Sequence, residues 1–284
     1  MEDMKTSKLT GKLTLKNDSG LSVFFIGVGS AFSKIHNQTN ILITKNDDHL
    51  LIDCGTCCAK ALYDYGLNIA DIDNLFISHS HADHIGNLEE FALMCHYIKN
   101  KKSNMIITND YKKKLWNESL KGGLAYSVEN NKKIMKFDDY FNQIKPTRIK
   151  KSPRPVYQTN VGSIDVKIFR TLHIPENETN WKKSMISYGI LIDERILFSL
   201  DSKFDTDILY EMLQDYPTIE YIFHDCQIKN GDVHAWYNDL AELSDEVKKI
   251  MYLCHYSDNY KIKDAKADGF AGFAEQGVFY NFDD

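Results

Sequence analysis

The 284 residues are 43% hydrophobic and 26% charged, a balance that suits a packed globular chain and excludes a fibrous or wholly disordered one. The formal charge of -6 excludes the global basic surface that displaces counterions from long nucleic acid, and the lysine runs Lys112 to Lys114 and Lys145 to Lys151 read as solvated faces among polar residues. The six cysteines, Cys54, Cys57, Cys58, Cys95, Cys226 and Cys254, form no CxxC ribbon pair and are expected to stay reduced.

The polar stretch Met1 to Lys16 has no signal-peptide core, and no run of about eighteen apolar residues follows. A cytoplasmic chain with no membrane partner is expected. Gly11 to Lys16 and Ser22 to Ile26 flank the turn-forming Asn17-Asp18-Ser19-Gly20 and are expected to pair as an opening hairpin. Gly27-Val28-Gly29-Ser30 follows, then strands over Asn40 to Thr44 and Leu50 to Ile52. Thr56 to Tyr65 reads as a helix closed by Gly66. Leu75-Phe76-Ile77 is a short apolar strand, His79 to Gly86 a polar loop, and Asn87 to Tyr97 a helix with Leu88, Phe91, Ala92 and Cys95 on one face.

Met105 to Thr108 is the next predicted strand, and Asp110 to Tyr126 is mostly helical with a break at Gly122-Gly123. Later strands fall at Val161 to Arg170, Gly189 to Asp193, Ile196 to Ser199, Tyr221 to Phe223 and Lys249 to Leu253, with helices at Asp205 to Gln214 and Tyr237 to Leu243. No repeat or proline-rich linker divides them. Residues 1–284 are expected to form one α/β domain, with residues 1–20 as an N-terminal extension, and with strands in two groups and helices outside.

His79-Ser80-His81-Ala82-Asp83-His84 places four ligand-type side chains within six residues. Imidazole nitrogens and a carboxylate on one loop suit a borderline-soft cation such as zinc. A solvated loop or a helix cap is the plain alternative, but no packing face requires that spacing. The run resembles the HxHxDH signature of the metallo-β-lactamase superfamily. The resemblance extends through Leu51-Ile52-Asp53-Cys54-Gly55, Thr171-Leu172-His173, Phe198-Ser199-Leu200-Asp201 and Leu253-Cys254-His255, almost the whole chain.

That resemblance implies an αββα sandwich of two mixed sheets flanked by helices, and two zinc ions, with manganese as the alternative. By it, His79, His81 and His173 would hold one metal and Asp83, His84 and His255 the other. Asp201 would bridge them, and Asp53 would orient a ligand from behind. Singly, His173 and His255 could be ordinary histidines, and Asp53 and Asp201 turn caps.

Phe223-His224-Asp225-Cys226 and Gly231-Asp232-Val233-His234 resemble paired motifs of the phosphodiesterase branch, which includes tRNase Z, although Asp225 stands where glutamate is usual. The resemblance implies that His234 is a general acid held by Asp225, with His224 behind them and Asp83 counted with them as catalytic. His224 as a strand cap and an exposed His234 are the alternative.

His173 and Asp201 are only 28 positions apart (201 minus 173), which leaves no room for the long tRNA-clasping arm of the tRNase Z relatives. The text from Phe223 to Gln227, Val233 to Ala235 and Met251 to Tyr256 is most similar to the anti-Pycsar cyclic-nucleotide phosphodiesterases. This implies a homodimer that hydrolyses 3′,5′-cyclic nucleotides (cyclic CMP, UMP, AMP and GMP) to nucleoside monophosphates and so silences a bacterial antiphage signal. An RNA-processing endonuclease and a non-catalytic nucleotide sponge are the competing expectations. Candidate substrate contacts are Gly29, Ser30, Tyr188 and Tyr256, with Phe32, Trp181 and Trp236 as further aromatics. The glycine-spaced tail Gly269 to Gly277 could line the pocket, meet a second copy or simply turn.

Overall fold

Runs such as Val23-Phe24-Phe25-Ile26 and Ile41-Leu42-Ile43 are wholly buried, as β-branched and aromatic strands are when both faces of a sheet are covered. In the computed structural model, which describes residues 4–126, 134–151, 153–229 and 233–282, these runs belong to two sheets of eight strands. The first contains β1 (Lys5–Lys8), β2 (Asn17–Gly27), β3 (Asn40–Asn46), β4 (Asp48–Ile52), β5 (Asn74–Phe76), β6 (Ser103–Ile106) and β7 (Phe141–Ile144). The second contains β8 (Thr147–Lys150), β9 (Val156–Val161), β10 (Ile164–Arg170), β11 (Tyr188–Ile192), β12 (Ile196–Leu200), β13 (Tyr221–Asp225), β14 (Met251–Cys254) and β15 (Gly272–Phe273). The last strand, β16 (Val278–Phe282), returns to the first sheet between β1 and β2.

Both sheets are mixed. In the first, β1, β16, β2, β3 and β4 are antiparallel neighbours, and β4 to β7 run parallel. In the second, β12 to β15 run parallel, and β12, β11, β10, β9 and β8 alternate. The sheets pack face to face through Phe25 and Tyr280 of the first against Phe223 of the second, with ring centroids 5.0 Å and 5.1 Å from Phe223. Short helices flank them, including Cys58–Asp64, Leu88–Leu93 and Thr206–Asp215. This is the αββα sandwich that the resemblance implied.

The opening hairpin does not form. Asn17 to Gly20 lies inside β2, where the register slips between Asn17 and Leu21 opposite β3. Asn17 Nδ2 donates to the Gly20 carbonyl (2.8 Å) and Gly20 takes φ +107°. The local turn chemistry is spent on a bulge, not a reversal. Gly122-Gly123 does not break its helix either, for Lys121–Leu124 is helical. A Cβ at Gly123 would meet the Glu89 carboxylate at 1.9 Å, so this glycine serves close approach of two segments. Within the predicted polar loop, Ala82–Ile85 forms a helical turn.

Candidate metal centre

The parallel strands set the site, because β4, β5, β12, β13 and β14 all discharge at their carboxyl ends, as does β10, and α/β folds commonly bind ligands in the crevice beyond such ends. Asp53 follows β4, His79 to His84 follow β5, His173 follows β10, Asp201 follows β12, and His255 follows β14. Asp53, Leu200 and His255 take φ of +64°, +48° and +57°, a left-handed backbone that costs non-glycine residues roughly 1 kcal/mol or more each. Strain of this kind beside one cluster is expected where the backbone is bent to aim side chains.

Two sets of donors converge. The ligand atoms of His79, His81, His173 and Asp201 lie within 4.8 Å of one another, as do those of Asp83, His84, Asp201 and His255. Asp201 belongs to both. Its Oδ2 stands 3.6 Å from His79 Nε2 and 3.8 Å from His173 Nε2, while its Oδ1 stands 3.2 Å from His84 Nε2 and 3.5 Å from His255 Nε2. Asp83 Oδ2 closes the second set, 3.2 Å from both His84 Nε2 and His255 Nε2.

The residues fit a pair of cations on the chemistry of their far atoms. Asp53 accepts from Ser78 N and Ser78 Oγ (2.7 and 2.8 Å) and from His84 Nδ1 at 2.7 Å, which leaves His84 Nε2 aimed inward. That Nε2 is buried and has no hydrogen-bond partner. His173 Nδ1 donates to the Val233 carbonyl at 2.8 Å, which fixes its tautomer and turns Nε2 to the site. Support of the remote nitrogen by a carboxylate or carbonyl is the usual setting of a metal-binding imidazole. His79 Nε2 and His81 Nδ1 face each other at 2.8 Å, a contact that a shared cation would satisfy.

Burial disfavours charge on all these groups, and their neighbours decide the outcome. His79 and His81 are pushed down, chiefly by burial, and His173 falls to about 4 for the same reason. Such histidines stay neutral, with a lone pair available. Against burial, the carboxylates of Asp201, Asp53 and Asp83 raise His84. Asp201 and Asp225 lift His255 to about 10, and His255 and His84 hold Asp201 well below the carboxylate range. Neutral His79, His81 and His173 with ionised carboxylates suit zinc or manganese, and a cation in the second set would take the place of the protons that the carboxylates hold on His84 and His255.

Beside the two sets, Asp225 Oδ2 accepts from His234 Nδ1 at 2.6 Å and from Ser202 N at 3.0 Å. Asp225 Oδ1 also lies 3.3 Å from His255 Nδ1, so one carboxylate backs both histidines. That second contact, and Ser202, were missed in the sequence. Gly231 and Asp232 of the predicted motif lie outside the described residues. His224 does not join the cluster: its Nδ1 donates to the Asp225 carbonyl (2.8 Å), and its ring lines a small apolar cavity with Phe169, Leu197 and Met212.

A cleft of about 660 Å³ opens beside His234 and His255, lined among others by Ser30, Phe32, Gln227 and Lys229. Of the sequence candidates, Ser30 and Phe32 line it. The amides of the Gly29-Ser30 turn are already used, by the Asn37 and Tyr256 carbonyls at 2.8 and 3.0 Å. Tyr256 is 1% exposed and donates its hydroxyl to the Ala274 carbonyl, so it packs behind the cleft. Tyr188 is bound to Thr108 Oγ1 (2.9 Å), and together with Trp181 it faces a different cleft. Trp236 is not among the lining residues of either. The tail supplies β15 and ties Gln276 Oε1 to Asn37 N at 2.7 Å. Gln227 and Lys229 carried no signal beyond their position between Asp225 and His234.

Two mixed sheets with paired His/Asp sets at their strand ends define a protein of the metallo-β-lactamase fold. Among solved structures, the YhfI metallo-β-lactamase fold protein of Bacillus subtilis superposes with a TM-score of 0.64 at 15% identity, covering 92% of this chain and 99% of that one. Unliganded yeast PDE1 gives 0.64 at 10% identity, covering 93% and 100%. The family model for "Anti-Pycsar protein Apyc1" matches residues 21–280. The chain belongs to that family. An Anti-Pycsar protein Apyc1 of Paenibacillus harenae is 36% identical over 84% of this chain and 90% of its own length. One from Bacillus phage 010DV004 is 34% identical over 92% and 98%.

Proposed function

We propose that this chain is a dimetal phosphodiesterase that hydrolyses 3′,5′-cyclic nucleotides to nucleoside monophosphates and so counteracts cyclic-nucleotide antiphage signalling. The observation that carries the reading is the division of the two Asp201 oxygens between two complete donor sets, with His234 alongside. His79, His81 and His173 would hold one cation, Asp83, His84 and His255 the other, and Asp201 both. Two divalent ions, zinc or manganese, supply charge for the phosphoryl oxygens and make hydroxide available near neutral pH.

The chain's own residues account for the rest. Attack of water oxygen on phosphorus breaks the P–O3′ bond, and the departing oxygen needs a proton. His234 has its Nδ1 tied to Asp225 and its Nε2 left for that oxygen. Against burial, the charge of Asp225 raises its pKa, so the imidazolium persists to higher pH than in a free histidine, as suits a general acid. Family membership and the cleft of about 660 Å³ support a small substrate, since mononucleotide-sized ligands occupy pockets of roughly 300–1,000 Å³. The short His173 to Asp201 interval, filled by one loop with β11 and β12, gives the same support.

The reading carries with it a homodimer acting in the cytoplasm. Among the described residues no helix is long and apolar enough to cross a membrane. Purified zinc- or manganese-loaded protein should convert cyclic CMP, UMP, AMP or GMP to monophosphates in a chromatographic assay. Cleavage of precursor tRNA in their place, or stoichiometric retention of uncleaved nucleotide, would replace the proposal with the endonuclease or the sponge.

A further inference from the structure

A second cleft, of about 420 Å³, lies between Lys151, Pro153 and Pro155, Asp110 at the start of the helix Asn109–Lys114, and the loop from Trp181 to Ser187. It shares no lining residue with the cleft beside His234. Four cations line it: Arg148, Lys151, Arg170 and Lys182. Their neighbours in sequence are neutralised, Lys150 by Glu211 and Asp215, and Arg154 by Asp205. Among the described residues, these four have no carboxylate partner. Asp110 is the one carboxylate in the lining, so the cleft carries a net +3 (four minus one) in a chain of net -6. Like charges gathered in a cleft focus the field and favour an anion.

The walls are aromatic. Arg170 donates to the carbonyls of Ser187, Trp181 and Met185 at 3.1, 3.0 and 3.0 Å, which pins the loop. Its guanidinium lies 5.5 Å from the Trp181 ring and 5.7 Å from the Tyr188 ring. Trp181 and Tyr157 are only partly buried, so a planar group entering the cleft has rings to stack on. Arginine forks and lysine ammoniums recognise phosphate oxygens, and Asp110 offers an acceptor for a hydroxyl or amino group.

We propose that this cleft is a second, non-catalytic binding site for a nucleoside 5′-monophosphate. The net +3 selects a phosphate monoester, a dianion, over a singly charged cyclic diester. The site needs no part of the hydrolytic reading, although that reaction would release the same chemical class. Tyr188, on the cleft wall, also bonds through its backbone N to the Ser78 carbonyl (3.2 Å), one residue before His79.

The test is titration of metal-loaded full-length protein with CMP, AMP and inorganic phosphate, and of its Asp83→Ala variant with CMP and with cyclic CMP, which the wild type would convert to CMP, read by Trp181 fluorescence. The monophosphates should quench saturably, with affinity at least about tenfold above the cyclic diester and above phosphate alone. Trp181→Phe should remove the signal. Lys182→Glu with Arg148→Glu, both exposed, should weaken binding about tenfold or more at unchanged metal content, as should Lys182→Ala to a smaller degree. Asp83→Ala should keep the quench, which separates this site from the metal centre. No saturable quench, a quench indifferent to charge reversal, one lost with Asp83, or equal binding of inorganic phosphate would overturn the assignment. Absence of cyclic-nucleotide turnover would leave it standing.

Discussion

His234 and Asp225 are joined by a 2.6 Å hydrogen bond from Nδ1 to Oδ2; Asp225 is the last residue of β13, and His234 lies beyond it, nine positions on. The bond orients the imidazole and stabilises its charged form against burial, which alone would lower its pKa. Replacing His234 by Ala should lower kcat by about 10²–10⁴ with little change in KM, the cost expected for a lost general acid. The sign of the pH effect follows from the raised pKa. Activity that needs the imidazolium is retained at low pH and lost as pH rises through a value above the ordinary histidine pKa of about 6.5. Asp225→Asn should move that alkaline limb to lower pH. A limb unmoved in the kcat–pH profile of the variant would exclude His234 as the acid.

Asp53 is buried and lines neither cleft, yet it gathers Ser78 N, Ser78 Oγ and His84 Nδ1 on one carboxylate. Asp53→Ala removes the anchor of His84 and leaves a buried amide without a partner. Metal affinity, measured by competition with a chelating dye, is expected to fall about 10–100-fold, and stability by about 1–3 kcal/mol in urea unfolding. Asp53→Asn, which tolerates the left-handed backbone at φ +64° and keeps one acceptor oxygen, should lose less on both counts. Stripping the wild-type protein with a chelator should lower its melting temperature, since ions that bind only the folded state stabilise it.

What was legible in the sequence was chemistry that is local or that ends an apolar run. His79 to His84 sit on one loop, and His173, Asp201 and His255 each follow a buried strand, so residue type and strand end together marked them. The pairing of the chain's two ends was not legible. β1 is Lys-Thr-Ser-Lys, exposed throughout, and its register with Asn281 to Val278 comes from contacts across the whole chain, not from any apolar alternation of its own. β8 is likewise a polar edge strand. Tyr256 shows the limit for substrate contacts: an aromatic beside a ligand histidine can face the cleft or the core, and which it does depends on Phe273 and Tyr260, packed against it at 5.1 and 4.3 Å.

Gly55, just past β4, lies against the metal loop, for a Cβ there would stand 1.9 Å from the Asp83 carbonyl oxygen. Cys54 N donates to the His84 carbonyl at 2.8 Å on the same path, so the loop has no slack to retreat. Gly55→Ala should therefore displace Asp83 and His84 together, with loss of the second cation before the first in metal titrations. A destabilisation of about 1–3 kcal/mol is expected from overpacking. Full occupancy of both sites in this variant would show the loop to be more yielding than its contacts indicate.

Phe32 and Tyr256 form a contrasting pair, since both are aromatic and near His255 in the chain's fold, yet one is 86% and the other 1% exposed. Phe32 stands in the wall of the cleft and buries little in the free protein. Phe32→Ala should leave urea unfolding unchanged and raise KM for cyclic nucleotides, by roughly 1–3 kcal/mol of lost base stacking. Tyr256→Phe removes the hydroxyl that the Ala274 carbonyl accepts at 2.7 Å and should cost about 1 kcal/mol of stability at unchanged KM and kcat. The opposite pattern, with KM responding to Tyr256 and not to Phe32, would mean that the nucleotide enters past β15 and that the cleft beside His234 is not its route.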